Sequence, residues 1–340
     1  MNRYALSVLG VLLASAAPIA LTQSAWTDPS PHEVKSVTVD TDVQLEVLDF
    51  GGSGPALVLL AGLGDTAHVF DDFAPALTGR HRVVAITRRA HGRSSAPATG
   101  YGFARLAEDV VRVIDAMALR RPIVIGHSFA GEEMHVLGAR SPEKIAGLVY
   151  LDAAFNRGDT ADGKAHDAVA RSLPAAPGPT AGDLASFSAL RSFLEKTQGA
   201  VGPEAHLRAR FLANADGSVG RPWAPDPPVR QAIANEMAAA TKAYNPEPVR
   251  VPALAIYAVP MSAGALIRPW YSDDPETRGR IERLYQLSRA RFTGHANWFR
   301  MLAPQARVAE ISGAHHLFLS NPREVVQQIE AFASLLLEKR

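Results

Sequence analysis

The residues best suited to chemistry lie in IVIGHSFAGEEM, Ile123 to Met134. An apolar run from Pro122 to Gly126 reads as a buried strand and passes straight into Gly126-His127-Ser128-Phe129-Ala130-Gly131 and a helical stretch. A turn this tight needs small residues at Gly126 and Ala130, or strand and helix would collide. Its strain pushes the Ser128 hydroxyl clear of the backbone. It also sets the Phe129 N–H at a helix N-terminus, where developing negative charge on an oxygen is stabilised. The spacing predicts Ser128 as a nucleophile; the alternative is a serine capping an ordinary helix. Glu132 and Glu133 fall in the first turns of that helix and complement its dipole. His135 continues it as a packed residue, and His127 lines the site or packs beneath it.

The elements around this turn follow a simple rhythm. Val37, Val39, Val43, Leu45 and Val47 alternate with polar residues on either side of Asp40-Thr41-Asp42, as in a hairpin with one buried face. Apolar runs recur at Ala56 to Gly62, Arg82 to Ile86, Gly147 to Asp152, Pro252 to Tyr257 and Arg307 to Ile311. Helical spacing links Phe103, Leu106, Val110, Val113, Ile114 and Met117, and again Val325, Ile329, Phe332, Ala333 and Leu336, with Pro322 opening the last helix. Strands alternating with helices predict a parallel sheet covered on both faces. One long interval, between GLVYLD and PALAIY, carries no convincing strand. It has amphipathic stretches at Leu184 to Leu194 and Val229 to Tyr244 and Pro-rich loops at Leu173 to Gly182 and Arg221 to Pro228. It begins at the carboxyl end of a strand, where ligands of such sheets bind, and is read as a lid; the alternative is a helical insertion that only packs on the sheet.

With these residues in view, the sequence resembles the lidded α/β-hydrolase superfamily over essentially the whole mature chain. The resemblance implies an α/β fold: a mostly parallel sheet with helices on both faces, and a helical lid inserted after the strand that follows the nucleophile helix. Residues 26–154 and 251–340 would form the core and 155–250 the lid. LLAGLGDTAHVFDDFAPAL, Leu59 to Leu77, resembles the family's oxyanion loop, with Ala61-Gly62 where His-Gly is common. By position Leu63 would supply the second oxyanion N–H through its backbone, beside that of Phe129. TRRAHGRSS, Thr87 to Ser95, resembles the family's D-x-x-G-x-G-x-S loop, from which Thr87 and Ala90 depart; His91 lies within it and could face the cleft.

The family's histidine is implied in ISGAHHLFLSNPREVV, Ile311 to Val326. Aligned on its G-x-G-H pattern, His316 takes the catalytic place and His315 replaces a glycine; only one of the two can reach Ser128. Two places are open for the acid. Asp152 ends the strand after the nucleophile helix, where some relatives keep theirs, and is preferred. The Asp273/Asp274 pair follows the penultimate strand at some distance, and Asp152 could instead cap the lid entrance. Serine at the elbow argues against dehalogenase or epoxide-hydrolase chemistry, which in this superfamily uses aspartate.

Composition bounds the rest. The chain has 340 residues, 47% hydrophobic and 20% charged, with a net charge of +1, so nothing marks it for nucleic acid. Cysteine is absent, which rules out disulfides, a thiolate nucleophile and thiolate metal sites. No cluster shows metal-ligand spacing along the chain, so no cofactor is expected. Arg3, the apolar stretch Ala5 to Leu21 broken by Pro18, and small residues at Thr22, Ser24 and Ala25 follow the order of a secretory signal peptide. Cleavage near residues 22 to 26 is expected, leaving a periplasmic or secreted protein with no stable membrane span; the rival is an uncleaved anchor.

These readings lead to a serine hydrolase acting on carboxylic esters through Ser128, His316 and Asp152. Aminopeptidase or amidase activity, with Glu195, Glu204 or Glu236 as an amine anchor, is an alternative. So are cofactor-free perhydrolysis and a non-catalytic binding protein of this fold. Phe187, Phe193, Phe211 and Trp223 would line an apolar substrate pocket or form the core of the lid.

Overall fold

The computed structural model describes residues 26–157 and 161–338. The expected signal peptide at 1–25 lies outside the described residues. The chain runs β1 (Glu33–Asp40), β2 (Val43–Gly51), β3 (Ala56–Leu60), β4 (Arg82–Ile86), α1 (Phe103–Ala116), β5 (Ile123–His127), α2 (Ala130–Arg140) and β6 (Gly147–Leu151). It continues with α3 (Ala161–Ser172), α4 (Phe187–Gln198), α5 (Glu204–Arg210), β7 (Phe211–Ala213), β8 (Val219–Pro222) and α6 (Pro227–Lys242). The closing elements are β9 (Ala253–Ala258), α7 (Pro275–Leu302), β10 (Arg307–Ile311), α8 (Leu317–Ser320) and α9 (Pro322–Glu338).

Eight strands form one sheet in the order β1-β2-β4-β3-β5-β6-β9-β10. The hairpin β1–β2 enters antiparallel, and from β4 to β10 every pairing is parallel. Strands of a parallel sheet are buried on both sides, and their alternating side chains here feed two separate apolar layers. Val58, Leu60, Val124, Leu148 and Tyr150 face one way, against Val110 and Val113 of α1, Met134 and Leu137 of α2, and Phe299 of α7. Leu57, Leu59, Ile125, Val149 and Leu151 face the other, against Phe70 in the 3₁₀ turn Ala67–Phe70 and against Ile329 and Phe332 of α9. The continuous apolar runs in the sequence therefore correspond to two-sided burial.

Two features depart from the sequence reading. The long interval contains a small hairpin, β7–β8, whose turn places Gly217 at φ +84°. Its three- and four-residue strands are too short for periodicity to reveal. Helix α7 spans 28 residues, yet its buried positions are few and set among arginines and glutamates, which hides its apolar face. Phe187 and Leu190 are buried with Leu207 and Val219, and Phe193 and Phe211 pack against them. Those aromatics form a core internal to the insertion.

The loop leaving β4 is tied to α1 by a buried ion pair. Arg89 donates to Asp109 through Nε (2.7 Å) and Nη2 (2.6 Å), with side chains 2% and 4% exposed. Removing one partner would strand the other charge in the interior. Asp109→Ala should therefore destabilise the fold by about 3–5 kcal/mol, read as a lower urea midpoint at unchanged slope.

Candidate active site

The site is built at the carboxyl end of the sheet, on β5. Ser128 follows directly and adopts φ +52°, a left-handed conformation strained for a side-chain-bearing residue. Its N–H still bonds Leu151 O at 3.2 Å, so the sheet holds the strained residue. The helix then turns back so closely that a Cβ on Gly126 would lie 2.2 Å from Met134 Sδ, and one on Gly131 would lie 2.0 Å from the Ala153 carbonyl. Packing leaves only glycine at both places. The Phe129 N–H stands at the start of α2, and Leu63, half exposed, lies in the loop after β3.

Asp152 follows β6 and is also left-handed, at φ +45°. Its N–H donates to Ile256 O at 2.7 Å, and its Oδ1 accepts the Ala258 N–H at 3.1 Å, so β9 clamps the carboxylate from both ends. The remaining oxygen, Oδ2, lies 2.6 Å from His315 Nδ1, and His315 Nε2 lies 2.9 Å from Ser128 Oγ. A carboxylate only accepts, so Nδ1 carries the proton and Nε2 offers its lone pair to the serine hydroxyl.

The histidine expected to reach Ser128 was His316, and the structure corrects that placement. His315 takes the place beside Ser128, while His316 Nε2 bonds Asp65 Oδ2 at 3.0 Å. The two rings are 5.6 Å apart and inclined at 74° as the chain bends into α8, so adjacent side chains diverge onto different partners. Lining up a family pattern assigns the histidine by count along the chain; this bend brings the preceding residue onto the serine. Asp273 and Asp274 are elsewhere: Asp274 caps α7 through Thr277 N (2.8 Å), and Asp273 pairs with Arg278 on the surface.

A second set of groups fixes the two loops that flank Ser128. His127 is buried beneath His315 and His316, at ring separations of 4.5 and 4.4 Å, and its Nε2–H donates to the His315 carbonyl at 3.1 Å. Burial, reinforced by the neighbouring histidines, holds its pKa well below the ordinary value, so it stays neutral. Asp65, in the loop after β3, accepts from His316 and lies 3.2 Å from His206 Nε2 of α5. Burial opposes its ionisation, but the two imidazole contacts prevail and hold its carboxyl well below the usual range. His91 is pushed down to about 4 by burial and then by Arg88, and its neutral ring accepts the Gly64 N–H at 3.2 Å. It braces this loop.

Arg88 and Asp65 escaped the sequence reading, although both lie in segments it singled out. Arg88 donates to the carbonyls of Ala61 (2.9 Å) and Gly62 (3.3 Å) and to Glu133 Oε1 (2.5 Å). Glu132 pairs with Arg157. Both glutamates lie in the first turn of α2, where they were expected to complement the helix dipole, and both are also buried ion-pair partners. The signal for Arg88 was its place two residues after a buried strand, where a cation needs a partner. Neither sequence nor periodicity names that partner.

The insertion reaches the same region. Met237 and Ala240 of α6 and Tyr244 just beyond it pack on Phe129 and Phe103, and Glu236 accepts the N–H groups of Gly100 (3.0 Å) and Tyr101 (2.7 Å). Glu204 is engaged by Arg208 at 2.7 Å. Donor atoms of Asp65, His127 and His316 lie within 4.8 Å of one another, as do those of a separate group, Asp28, His32, His68 and Asp71.

A parallel α/β sheet with a strained serine between a strand and a helix defines the class. The profile of the Alpha/beta hydrolase family matches residues 57–328, and the chain belongs to that family. It is 30% identical over 101 residues to the 2-(acetamidomethylene)succinate hydrolase of Mesorhizobium japonicum, covering 30% of this chain and 36% of that protein. It is 32% identical over 107 residues to the fluoroacetate dehalogenase of a Burkholderia species, covering 30% of this chain and 35% of that protein. The chain thus spans about a third of the length of these curated relatives, 36% and 35%. A solved E-2-(acetamidomethylene)succinate hydrolase superposes with a TM-score of 0.61 at 20% identity, over 89% of this chain and 99% of that one. That likeness is one of fold.

Arg88→Met should test how the loop after β3 is held. It leaves Glu133 buried without its cation and should cost about 3–5 kcal/mol of stability. The double variant Arg88→Met/Glu133→Gln should recover much of that loss, as seen in thermal melts.

Proposed function

We propose that this chain is a secreted or periplasmic serine hydrolase that cleaves carboxylic esters through an acyl-enzyme, with Ser128 as nucleophile, His315 as base and Asp152 as its orienting acid. The observation that carries this reading is the unbroken chain Ser128 Oγ to His315 Nε2 (2.9 Å) and His315 Nδ1 to Asp152 Oδ2 (2.6 Å). A hydroxyl is a weak nucleophile until a base accepts its proton. As Ser128 Oγ attacks the acyl carbon, its proton passes to His315 Nε2, and Asp152 stabilises the imidazolium. The carbonyl oxygen becomes an oxyanion held by the backbone N–H groups of Leu63 and Phe129. Collapse breaks the acyl–oxygen bond, and the imidazolium protonates the departing alcohol. Water, deprotonated by His315, then releases the acid and restores Ser128.

In this reading the insertion between β6 and β9 is a lid. Its support is the packing of α6 on Phe129 and the contact of α5 with Asp65, which set insertion residues against both loops beside the serine. An apolar ester is the substrate class proposed. Amide hydrolysis with an acidic amine anchor has less support, because Glu236 spends both oxygens on backbone N–H groups and Glu204 is paired with Arg208.

The test is turnover of a short-chain chromogenic ester by the purified chain and its variants. Ser128→Ala should lose at least about a thousandfold in kcat with the melting temperature nearly unchanged. His315→Ala should lose as much, whereas His316→Ala should stay within about tenfold of wild type, about 1.4 kcal/mol in barrier. The reverse ranking of the two histidines would overturn the base assignment. Asp152→Asn should fall about ten-thousandfold in kcat through the wrong tautomer, with folding intact.

A further inference from the structure

Apart from the proposed triad, the chain gathers a second set of titratable groups with no part in the proposed reaction. Asp28 and His32 come from the segment before β1, and His68 and Asp71 from the 3₁₀ turn Ala67–Phe70 and the residue after it. Along the sequence they have no ligand spacing; the fold brings one donor atom from each within 4.8 Å of all the others. The pairwise approaches are His68 Nδ1 to Asp71 Oδ2 at 2.9 Å, His32 Nδ1 to Asp71 Oδ1 at 3.2 Å, His68 Nδ1 to Asp28 Oδ2 at 3.3 Å and His32 Nε2 to Asp28 Oδ2 at 3.7 Å. Four ligands held tetrahedrally at about 2.1 Å from zinc stand about 3.4 Å apart. The closest approaches, taken over both nitrogens of His32 and both oxygens of Asp71, run from 2.9 to 3.7 Å and so place the four groups, rather than one fixed set of four atoms, at about that spacing.

Two further observations point to an ion. The His32 side chain is 3% exposed and that of Asp71 is 0% exposed. Yet, among the described residues, His32 Nδ1 and Asp71 Oδ1 have no hydrogen-bond partner, although only 3.2 Å separates them. They converge without the alignment a hydrogen bond needs, as two lone pairs directed at one centre do. Buried polar atoms left without partners are rare and call for an explanation. The charge count agrees. Three carboxylates, of Asp28, Asp71 and Glu46, surround two imidazoles, and Glu46 Oε1 is likewise buried without a hydrogen-bond partner among the described residues, 3.8 Å from His68 Nε2.

We propose that Asp28, His32, His68 and Asp71 form a structural site for a divalent transition metal, zinc by its ligand chemistry. Two imidazoles and two carboxylates suit zinc, and four protein ligands close the coordination sphere, as in structural rather than catalytic sites. The ion would clip residues 28–32 onto the turn that continues from the loop carrying Leu63. It joins an early segment of the chain to the sheet without a disulfide, in a sequence that has no cysteine.

The experiment uses the full secreted chain without a histidine tag, stripped with a chelator, exposed to zinc chloride and desalted. Elemental analysis should find about one tightly held zinc per chain, and the melting temperature should rise by several degrees with zinc and fall again with chelator. Asp28→Asn and His32→Ala should each lose the retained zinc and the zinc-dependent shift while still melting cooperatively. His316→Ala should keep both, because Asp65, His127 and His316 form a separate cluster. The proposal is overturned if zinc is not retained, if His32→Ala retains it undiminished, or if only His316→Ala loses it. A protonated His68 neutralising the carboxylates would produce the first of these results. The readouts are metal content and melting, so they stand apart from ester turnover.

Discussion

The strained turn at Ser128 can persist only because the sheet and the helix behind it leave the backbone no alternative. The Ser128 N–H is bonded to the neighbouring strand, and the helix that follows fits only because glycine stands at 126 and at 131. Left-handed backbone at a residue with a side chain costs of order 1–3 kcal/mol and survives where the surroundings over-determine it. Those surroundings are two apolar layers fed by alternate residues of the same parallel strands. The hydroxyl is thereby presented at the rim of a rigid scaffold, and each other group at the site is placed relative to it.

Asp152 repeats the same logic one strand away. It too has positive φ, and both its N–H and one carboxylate oxygen are engaged by β9, so its free oxygen has one direction left, toward His315. Two strained residues at adjacent strand ends, each held by the next strand, fix the ends of the hydrogen-bonded chain. The histidine between them sits on a loop and needs separate support. His127 supplies it from below through the His315 carbonyl, and His316 from the side through Asp65. The doubled histidine is thus divided between a ring facing the serine and a ring anchoring the loop.

Asp65 joins three parts of the molecule: the loop after β3, the histidine loop through His316, and the insertion through His206. Arg88 joins the loop after β3 to α2 through Glu133. Such buried polar links specify one arrangement of loops because each partner removed leaves another unsatisfied. They couple the placement of the insertion to the geometry beside Ser128.

The sequence by itself determined the eight sheet strands in chain order, the helices α1, α2 and α9, the two-sided burial of the parallel sheet and the strand–serine–helix turn. These rest on local pattern: apolar runs, helical spacing and small residues at fixed offsets from Ser128. It did not determine which of His315 and His316 faces the serine, because adjacent residues differ only in direction, and that direction is set by how the chain bends into α8 against Asp65 and Asp152. The role of Arg88, the internal core made by Phe187, Phe193 and Phe211, and the meeting of Asp28 and His32 with His68 and Asp71 were likewise decided by tertiary structure. Each joins residues far apart in the chain. Periodicity reports which face of an element is buried, and only the packed fold decides what that face meets.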